Sequence, residues 1–219
     1  MKLLVTGGAG FIGSNFIHYW RREHPEDSIV NFDKLTYAGN LENLKDIKHD
    51  SHYEFIHGDI TDREAVRTVL SKGIELVVNF AAESHVDRSI MGADDFARTD
   101  VLGTLVLLEA SREFEIKRYL QISTYEVYGD IEAGQASREA DPLRPSSPYA
   151  ASKAGGDLLA LAFARTHQTP VLVSRCTNNY GPYQYPEKLI PLFITNAMLG
   201  KSLPMYGDGL QVRDWLFVD

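Results

Sequence analysis

The sequence predicts an α/β protein built on a doubly wound parallel sheet, and three features of the chain support this. A glycine-rich turn joins the first apolar run to the first helical pattern. Asp33 ends a second apolar run about 20 residues further on. Apolar runs and helical patterns then alternate along most of the chain, which is typical of repeated strand–helix units. Together these features predict a Rossmann-type domain, in which ligands bind at the carboxyl ends of the strands.

The composition is that of an ordinary globular enzyme. The 219 residues carry a formal net charge of −8, and 44% of them are hydrophobic. The sequence contains no basic stripe for a nucleic acid and no apolar run near the roughly 18 residues of a membrane span. Cys176 is the only cysteine, so we expect a reducing compartment. The chain opens directly on a strand pattern, which leaves no room for a signal peptide and favours a cytoplasmic location.

The first strand–helix turn is predicted to bind an anion. Two glycine spacings overlap there, one through Gly8, Gly10 and Gly13, and the other through Gly7, Gly10 and Gly13. A helical pattern follows over 11–19. Side chains in the turn would keep a pyrophosphate away from the backbone amides at the helix start, where the helix dipole favours negative charge. In this context a dinucleotide is a better interpretation than a merely tight turn.

The acidic residue that ends the second strand predicts which dinucleotide binds. Asp33 follows the apolar run 29–32. Its carboxylate can accept hydrogen bonds from both ribose hydroxyls and would repel a 2′-phosphate. The sequence therefore favours NAD over NADP as the cofactor. The polar loop 34–43 could wrap the adenosine.

The rest of the chain supplies the expected alternation of strands and helices. Further strands are predicted over 53–57, 76–81, 119–123 and 171–174. Helices are predicted over 94–113 and 149–167, and a shorter one runs from a cap at Thr61 or Asp62 to Leu70. The stretch 129–148 is rich in proline, glycine and serine and is predicted to be a loop.

The pattern changes after Cys176, and we place a domain boundary there. Residues 1–176 are predicted to form the NAD-binding domain. Residues 177–219 are predicted to begin a smaller substrate-binding lobe, with a helix over about 188–199. The segment 212–219 is apolar and lacks a tapering polar tail, so we expect the given chain to be part of a longer one.

Tyr149 and Lys153 form the main catalytic hypothesis. They are four residues apart at the start of a predicted helix, so both project from one face. A lysine one turn away is expected to lower the pKa of Tyr149 and make it a proton acceptor near neutrality. Lys153 can also donate to a nicotinamide ribose, and the Thr124 hydroxyl can bond a sugar hydroxyl beside the nicotinamide. Taken alone, the tyrosine and lysine could belong to an ordinary amphipathic helix.

With these parts the chain resembles the extended short-chain dehydrogenase/reductases. Within them it is most similar to the nucleotide-sugar 4,6-dehydratases, chiefly those that act on dTDP-glucose. The similarity covers essentially the whole chain, and members of the family continue well past the position of Asp219. The most specific stretches are FDKLTYAGN (32–40), AAESHVDRSI (81–90), NNYGPYQYPEKLIPL (178–192) and YGDGLQVRDWL (206–216).

The resemblance implies a lyase reaction and a set of site residues. Tyr149 would take the proton of the sugar 4-hydroxyl while hydride passes to NAD, and Glu126 would remove the carbon-5 proton. Water then leaves from carbon 6 and the hydride returns there, which gives dTDP-4-keto-6-deoxyglucose for deoxysugar (rhamnose-type) biosynthesis. The implied cofactor residues are Gly7, Gly10, Phe11, Ile12, Gly13, Asp33, Lys34, Leu35, Thr36, Asp59, Ile60, Ala81, Ala82, Ser84, Thr99, Tyr149, Lys153 and Asn179. The implied substrate residues are His85, Thr124, Asn178, Lys188, Leu189, Pro204, Tyr206 and Arg213.

Tyr125 departs from the family pattern. The dehydratase signature after the fifth strand is Ser-Thr-Asp-Glu-x-Tyr-Gly, whereas this chain has Tyr125 between Thr124 and Glu126. In the family the missing aspartate is the acid that assists the departure of water. A phenol with a pKa near 10 is a poorer proton donor than a carboxyl group. The sequence therefore predicts a dehydratase with weakened or altered chemistry, with Thr124, Tyr125, Glu126, Tyr149 and Lys153 as its catalytic group.

Two alternative functions stay open from the sequence. One is a related nucleotide-sugar epimerase or decarboxylase, which oxidises carbon 4 without losing water. The other is a non-catalytic nucleotide-sugar-binding protein. No metal site is predicted, since the closest histidine pair, His49 and His52, lacks an evident third ligand. The resemblance also implies a homodimer formed through the two long helices.

Overall fold

The computed structural model describes residues 1–132 and 134–219. Its strands are β1 Lys2–Thr6, β2 Ser28–Asp33, β3 Tyr53–His57, β4 Leu76–Asn79, β5 Arg118–Thr124, β6 Val171–Cys176, β7 Asn178–Tyr180 and β8 Trp215–Phe217. Its α-helices are α1 Phe11–Glu23, α2 Arg63–Leu70, α3 Val86–Met91, α4 Asp94–Phe96, α5 Thr104–Glu113, α6 Pro148–His167 and α7 Leu189–Met198.

The first six strands form one parallel sheet in the order β3-β2-β1-β4-β5-β6. The strand order reverses between β1 and β4, since the chain builds outward from β1 to β3 and then returns to the other side. This confirms the predicted doubly wound, Rossmann-type α/β fold. A crevice at such a reversal, outside the carboxyl ends of the strands, is where ligands bind in these sheets.

Strand β1 contributes to the core on both faces of the sheet. Leu4 belongs to one buried cluster, which it shares with Val66 of α2 and Leu107 of α5. Leu3 belongs to a second cluster with Ile17 of α1. Neighbouring side chains of a strand point to opposite faces, so a strand covered on both sides must be apolar at consecutive positions. This explains why the first strand reads as a continuous apolar run.

The helix predicted after a cap at Thr61 or Asp62 and the helix predicted from Tyr149 begin close to the observed positions, because capping residues fix both starts. The Asp62 side chain accepts hydrogen bonds from two backbone amides of the first turn of α2. Ser147 accepts one from the Ala150 amide, and Pro148 occupies the first position of α6, where its missing N–H costs nothing. Over residues 1–132 and 134–219, no helix is both long enough and apolar enough to cross a membrane.

The single helix predicted over 94–113 is wrong in its details. The short helix α4 passes into a π-helical segment, Ala97–Gly103, before α5 begins. A π-helical turn takes up extra backbone while the apolar pattern stays helical, so periodicity alone does not reveal it. The segment packs closely on α6, because Gly156 has no side chain there. A Cβ on Gly156 would lie 2.7 Å from the Asp100 carbonyl oxygen.

The segment after β6 forms a small unit beside the sheet. Strands β7 and β8 pair in parallel as a separate two-stranded sheet, although the sequence analysis predicted neither. Helix α7 confirms the predicted helix over about 188–199, and each of its residues is at least partly exposed. The domain boundary at 176/177 stays a prediction.

Candidate functional site

An open cleft of about 520 Å³ crosses the carboxyl edge of the sheet. It contains most residues that the sequence analysis assigned to the cofactor or the substrate. These are Gly7, Gly10, Phe11, Ile12, Gly13, Asp33, Lys34, Thr36, Asp59, Ile60, Ala81, Ala82, Ser84, His85, Thr99, Thr124, Tyr125, Glu126, Tyr149, Lys153, Asn178, Asn179, Lys188, Leu189 and Tyr206. Among the described residues, Leu35, Pro204 and Arg213 lie outside this lining, and their contacts stay predictions.

The glycine turn after β1 allows three stretches of backbone to meet. Gly7 has a φ of +67°, which favours glycine, and a Cβ there would lie 2.6 Å from the Ala81 amide nitrogen. A Cβ on Gly13 would collide with the Gly7 carbonyl oxygen. Gly8 instead packs against Ile17 and the Asn31 side chain. The spacing Gly7, Gly10, Gly13 is therefore the one that lines the cleft.

The start of α1 presents backbone amides to this cleft. Gly10 is the cap residue and offers no side-chain acceptor, and the first turn consists of Phe11, Ile12 and Gly13. The first amides of a helix lack partners within the helix and carry the positive end of its dipole. The turn therefore has the donor chemistry of a diphosphate site.

Asp33 is held rigidly at the end of β2. Its carboxylate accepts hydrogen bonds from the Ala9 amide at 2.9 Å and from the Leu35 amide at 2.8 Å. Leu35 itself adopts a left-handed φ of 54°. Burial raises the pKa of Asp33, and the two amide hydrogen bonds oppose that rise. Each carboxylate oxygen keeps lone-pair capacity, so Asp33 can still accept from ribose hydroxyls.

Asp59 and Lys34 form an ion pair on the neighbouring wall. The Lys34 Nζ lies 2.8 Å from the Asp59 carboxylate, which also accepts a hydrogen bond from the Thr61 amide. Burial alone would raise the pKa of Asp59. The ion pair with Lys34 and the hydrogen bonds from Thr61 outweigh burial, so the pKa of Asp59 lies below its ordinary value. This pair fixes two predicted cofactor residues in place.

Tyr149 and Lys153 lie together on the first turns of α6, as their spacing predicted. The Lys153 side chain is only 4% exposed and donates a 2.8 Å hydrogen bond to the Ile122 carbonyl oxygen. The expectation that Lys153 lowers the pKa of Tyr149 is wrong for this structure. Burial raises the pKa of Tyr149 strongly, and the charges of Glu126 and Asp100 add to the rise, while a hydrogen bond with Thr124 opposes it.

Thr124, Tyr125 and Glu126 follow β5 and lead into a short 3₁₀ helix, Tyr125–Tyr128. The Thr124 side chain accepts from the Glu126 amide at 3.3 Å, so its hydroxyl proton is free to bond Tyr149. Burial raises the pKa of Glu126, and Lys188 opposes the rise. Glu126 therefore has the proton affinity of a usable general base.

The Tyr125 side chain also lines the cleft. Its phenolic oxygen accepts a 2.9 Å hydrogen bond from Asn178. Burial raises the pKa of Tyr125 above its ordinary value of 10, although the Asn178 hydrogen bond opposes the rise. The proton of Tyr125 is therefore held more tightly than that of an ordinary phenol.

A strap, residues 181–188, crosses the mouth of the cleft and contacts α1. Asn15 donates a 3.0 Å hydrogen bond to the Pro182 carbonyl oxygen. His18 stacks on Tyr183 with the ring centroids 5.6 Å apart. This segment lies in the stretch 178–192 that carries part of the family resemblance, but its contact with α1 was not predicted from the sequence.

The far end of the strap contacts the loop after β2 and helix α3. Tyr185 packs edge-on against Tyr37 with the centroids 5.5 Å apart. Arg88 stacks over the Tyr37 ring at 3.9 Å and donates to Glu187 at 3.2 Å. Tyr185 and Glu187 were not predicted as site residues, since only the fold brings Glu187 and Arg88, about 100 positions apart, together. Other lining residues that it missed are Phe32, Gly58, Phe80, Glu83, Ile122, Thr177, Gln184 and Trp215.

Comparisons with known proteins identify the family to which this site belongs. The family model described as GDP-mannose 4,6 dehydratase matches residues 4–219. The chain belongs to this family. Relatives of the chain also include proteins named for a different nucleotide sugar, the dTDP-glucose 4,6-dehydratases. The chain spans 66–70% of the length of the three relatives described next.

Three family relatives show how similar the chain is to its neighbours. It is 54% identical over 222 residues to dTDP-glucose 4,6-dehydratase of Streptomyces niveus, covering 100% of this chain and 66% of that protein. It is 52% identical over 219 residues to the low-salt glycan biosynthesis protein Agl12 of Haloferax volcanii, covering 100% and 70%. The structure of DesIV, a dTDP-glucose 4,6-dehydratase of Streptomyces venezuelae with NAD bound, matches with a TM-score of 0.95 and 51% identity, covering 100% and 68%.

Epimerases share the fold at lower identity. UDP-glucose 4-epimerase of Thermotoga maritima, solved with UDP-glucose, has a TM-score of 0.91 and 31% identity, covering 100% of this chain and 70% of that one. The sequence therefore lies nearer to the dehydratases than to this epimerase, while the fold alone does not separate them.

Proposed function

We propose that the protein is an NAD-dependent hydro-lyase that converts dTDP-glucose to dTDP-4-keto-6-deoxyglucose. The observation that carries this proposal is a single cleft that contains both a dinucleotide-type turn with Asp33 and the group Thr124, Glu126 and Tyr149. The relatives named dTDP-glucose 4,6-dehydratase, at 54% and 51% identity, support the substrate.

The cleft fits NAD by the chemistry of its groups. The amides at the start of α1 hold the diphosphate, and Asp33 accepts from the adenosine ribose. Lys153 donates to the nicotinamide ribose. The NAD-bound structure of DesIV supports this assignment. When bound, NAD supplies the hydride acceptor for oxidation of the sugar.

The protein's own groups then handle protons. Tyr149 accepts the proton of the sugar 4-hydroxyl, and the Thr124 hydroxyl orients the sugar beside it. Glu126 accepts the carbon-5 proton, which is acidic once carbon 4 is a ketone. Because burial raises the pKa of Glu126, the protonated form is stable enough to persist after this transfer.

Tyr125 weakens the elimination of water. In the family pattern an aspartate stands at this position, and Tyr125 cannot replace it as an acid, because burial raises the pKa of its phenol. General acid catalysis contributes about a hundred- to ten-thousand-fold, so we expect dehydration to be slowed on that scale. Oxidation at carbon 4 uses Tyr149 and is unaffected.

The substrate side of the cleft is assigned from the family resemblance and from the residues that line the cleft. His85, Asn178, Lys188, Leu189 and Tyr206 line it and hold the sugar and its diphosphate, together with Pro204 and Arg213. We place the NAD-binding domain at residues 1–176 and the start of the substrate lobe at 177–219.

We further propose a cytoplasmic homodimer. Leu158 and Leu161 on α6, and Leu102 in the π-helical segment, are large apolar side chains that are 39–59% exposed. Since residues three apart lie on one helix face, the two α6 leucines form an apolar stripe. A second copy of the chain would cover it.

The alternative functions make different products. An epimerase or decarboxylase would reduce NAD or change the sugar without releasing the 4-keto-6-deoxy product. Tyr125 favours this alternative, because these reactions do not need an acid for the departure of water. A non-catalytic protein would bind the nucleotide sugar with no reduced-cofactor intermediate. The lower identity to the epimerase favours the dehydratase.

A product assay tests the proposed function. The protein is loaded with NAD and incubated with dTDP-glucose, and the nucleotide-sugar product is analysed by mass spectrometry and NMR. We expect slow formation of dTDP-4-keto-6-deoxyglucose. Turnover typical of dehydratases would contradict the weakening by Tyr125, and dTDP-glucose left unchanged with NAD fully oxidised would contradict the proposed function.

A further inference from the structure

The strap, residues 181–188, is fixed to α1 at one end. Asn15 of α1 donates a 3.0 Å hydrogen bond to the Pro182 carbonyl oxygen. About one turn further along the same helix, His18 stacks on the Tyr183 ring with the centroids 5.6 Å apart. The first turn of α1 presents the amides that are proposed to hold a diphosphate. The strap is therefore attached to the helix that forms this part of the cleft.

At its other end the strap is fixed to the loop after β2 and to α3. Tyr185 packs edge-on against Tyr37 of that loop, with the centroids 5.5 Å apart. Arg88 of α3 stacks over the Tyr37 ring at 3.9 Å and donates a 3.2 Å hydrogen bond to Glu187. The strap thus runs from the diphosphate turn to the loop that follows Asp33.

The strap lines the cleft between these two ends and is braced by its own turns. Gln184, Tyr185, Glu187 and Lys188 belong to the cleft lining. The Gln184 amide donates to the Gly181 carbonyl oxygen at 3.4 Å, and the Lys188 amide donates to the Tyr185 carbonyl oxygen at 3.2 Å. A segment with internal turns of this kind can move as one piece.

Tyr183 holds a backbone conformation that is unusual for a bulky residue. Its φ is 68°, in the left-handed region that large side chains rarely adopt. Such conformations persist only where the surrounding contacts hold them, and they cluster at ligand clamps and switch segments. Here the stack on His18 is such a contact. Lifting the strap would break this contact and let the backbone relax.

We propose that the strap is a gate that controls how fast NAD enters and leaves the cleft. This inference rests on the proposed function, since it takes the diphosphate and the adenosine ribose to lie between α1 and the loop after Asp33. A ligand in that position lies beneath the strap, so the strap has to lift before the ligand can leave. The proposed reaction restores NAD within each turnover, so slow release of NAD does not slow the reaction.

The anchoring contacts should control rates and not affinity. They join one part of the protein to another and involve no ligand atom. Removing one of them therefore destabilises the closed strap equally in the free and the NAD-bound protein. A ligand shifts an equilibrium only when it interacts differently with the two states. We therefore expect NAD to enter and leave faster with a nearly unchanged Kd, whereas loss of a side chain that touches NAD would raise the Kd.

One variant at each end of the strap tests the gate. Asn15→Ala removes the hydrogen bond to Pro182, and Arg88→Met removes both the stack over Tyr37 and the hydrogen bond to Glu187. Neither Asn15 nor Arg88 belongs to the cleft lining. Each change should speed the release of NAD by about three- to tenfold, as expected for the loss of one such contact. Because both ends must come free, the double variant should show the product of the two effects.

Arg22→Met is the matched control. Arg22 also stacks over a tyrosine ring, that of Tyr19, at 5.5 Å, and it donates a 2.9 Å hydrogen bond to Glu23. Neither partner belongs to the strap. Arg22→Met should therefore release NAD at the rate of the parent protein.

The release rate is measured by loading the protein with radiolabelled NAD and chasing it with an excess of unlabelled NAD, and the Kd is measured by calorimetry. We expect faster release in both single variants with a Kd that changes by less than about twofold. An unchanged release rate in the double variant overturns the proposal. A Kd that rises in proportion to the release rate also overturns it, as does an equal acceleration in Arg22→Met.

A second pair of variants gives an answer if Asn15→Ala disturbs α1. Tyr183→Phe keeps the ring that stacks on His18 and should match the parent, whereas Tyr183→Ala loses the stack and should release NAD about threefold faster or more. Because the Tyr183 side chain is 45% exposed, both variants should fold. Equal release rates in the two variants overturn the gate.

The exchange of NAD is measured without dTDP-glucose, so its outcome is distinguishable from that of the proposed function. Faster exchange at an unchanged Kd, together with no 4-keto-6-deoxy product, supports the gate and counts against the proposed function alone. Product formation together with unchanged exchange in the double variant overturns the gate alone.

Discussion

The side-chain amide of Asn178 donates a 2.9 Å hydrogen bond to the phenolic oxygen of Tyr125. This contact joins the turn after β5 to strand β7, and it fixes the ring in the lining of the cleft. Asn178 is also held by the Asp214 carbonyl oxygen, which it contacts at 3.1 Å. Tyr125 is therefore an ordered part of the site with a proton that is difficult to release.

Restoring the carboxyl group should restore elimination. In Tyr125→Asp we expect the rate of dehydration to rise by about a hundred- to ten-thousand-fold, which is the usual contribution of a general acid. The measurement is the rate of dTDP-4-keto-6-deoxyglucose formation. Tyr125→Phe is the matched control and should match the parent, because the phenol donates no proton. A large loss of activity in Tyr125→Phe would show that the phenol is itself catalytic.

Removing the proton acceptor should stop oxidation of the sugar. In Tyr149→Phe we expect NAD reduction by dTDP-glucose to fall by about a hundredfold or more, with NAD still bound. Lys153→Met should slow the reaction and also weaken NAD binding, since Lys153 is the proposed ribose donor. Lys45→Met, at an exposed position in the loop before β3, should change neither. Near-normal NAD reduction in Tyr149→Phe would rule out Tyr149 as the base.

The glycine turn should not tolerate a methyl group at its third glycine. In Gly13→Ala the new Cβ collides with the Gly7 carbonyl oxygen, and overpacking of this kind costs about 1–3 kcal/mol. If the turn shifts to relieve the collision, NAD affinity should fall by about ten- to a hundredfold. The dissociation constant for NAD is measured by calorimetry. Gly92→Ala, whose added Cβ would meet no other heavy atom within 4 Å, should bind NAD normally. Normal binding by Gly13→Ala would contradict the account of the turn.

The carboxylate of Asp33 should decide between NAD and NADP. In Asp33→Asn one of the Ala9 and Leu35 amides loses its acceptor, and the ribose loses a charged partner. Hydrogen bonds to charged groups contribute about 1.5–3 kcal/mol, so NAD affinity should fall by about tenfold or more while discrimination against NADP relaxes. Asp46→Asn, at an exposed position, provides the control. An unchanged NAD-to-NADP affinity ratio in Asp33→Asn would refute this role.

The ion pair of Asp59 with Lys34 should make stability depend on pH. The folded pKa of Asp59 is lowered, so its ionised form stabilises the folded state above its unfolded pKa of about 3.9. That contribution is lost as the pH falls through the folded pKa. Because the Lys34 side chain is 55% exposed, we expect Asp59→Asn to cost only about 1 kcal/mol at neutral pH. Urea unfolding should show this difference shrinking below about pH 4; a constant difference would contradict the assignment.

Local patterns predicted most of the fold, because capping groups and two-sided burial leave clear marks in a sequence. Asp62 was one of two predicted caps, with Thr61, and it marks a helix start. The continuous apolar run of β1 marks a strand buried on both faces. The π-helical segment left no such mark, since its apolar periodicity is that of an ordinary helix. Strand β8 is three residues long and pairs with β7 across a long connection, so short-range patterns could not reveal the pairing.

The candidate site was predictable where a motif is local and unpredictable where its parts come from distant segments. The spacing of Tyr149 and Lys153 placed both on one helix face, and the glycine turn and Thr124 together made them a catalytic hypothesis. The contact of Glu187 with Arg88 and the burial that raises the pKa of Tyr149 depend on the packed structure.

The central claim is that this cleft oxidises the sugar at carbon 4 and then eliminates water within the same active site. The most direct measurement uses dTDP-glucose with deuterium at carbon 4 and locates the label in the product by NMR. The account predicts slow formation of dTDP-4-keto-6-deoxyglucose with the deuterium at carbon 6. A product that has lost the deuterium, or a label that stays on unchanged dTDP-glucose after prolonged incubation, would contradict it.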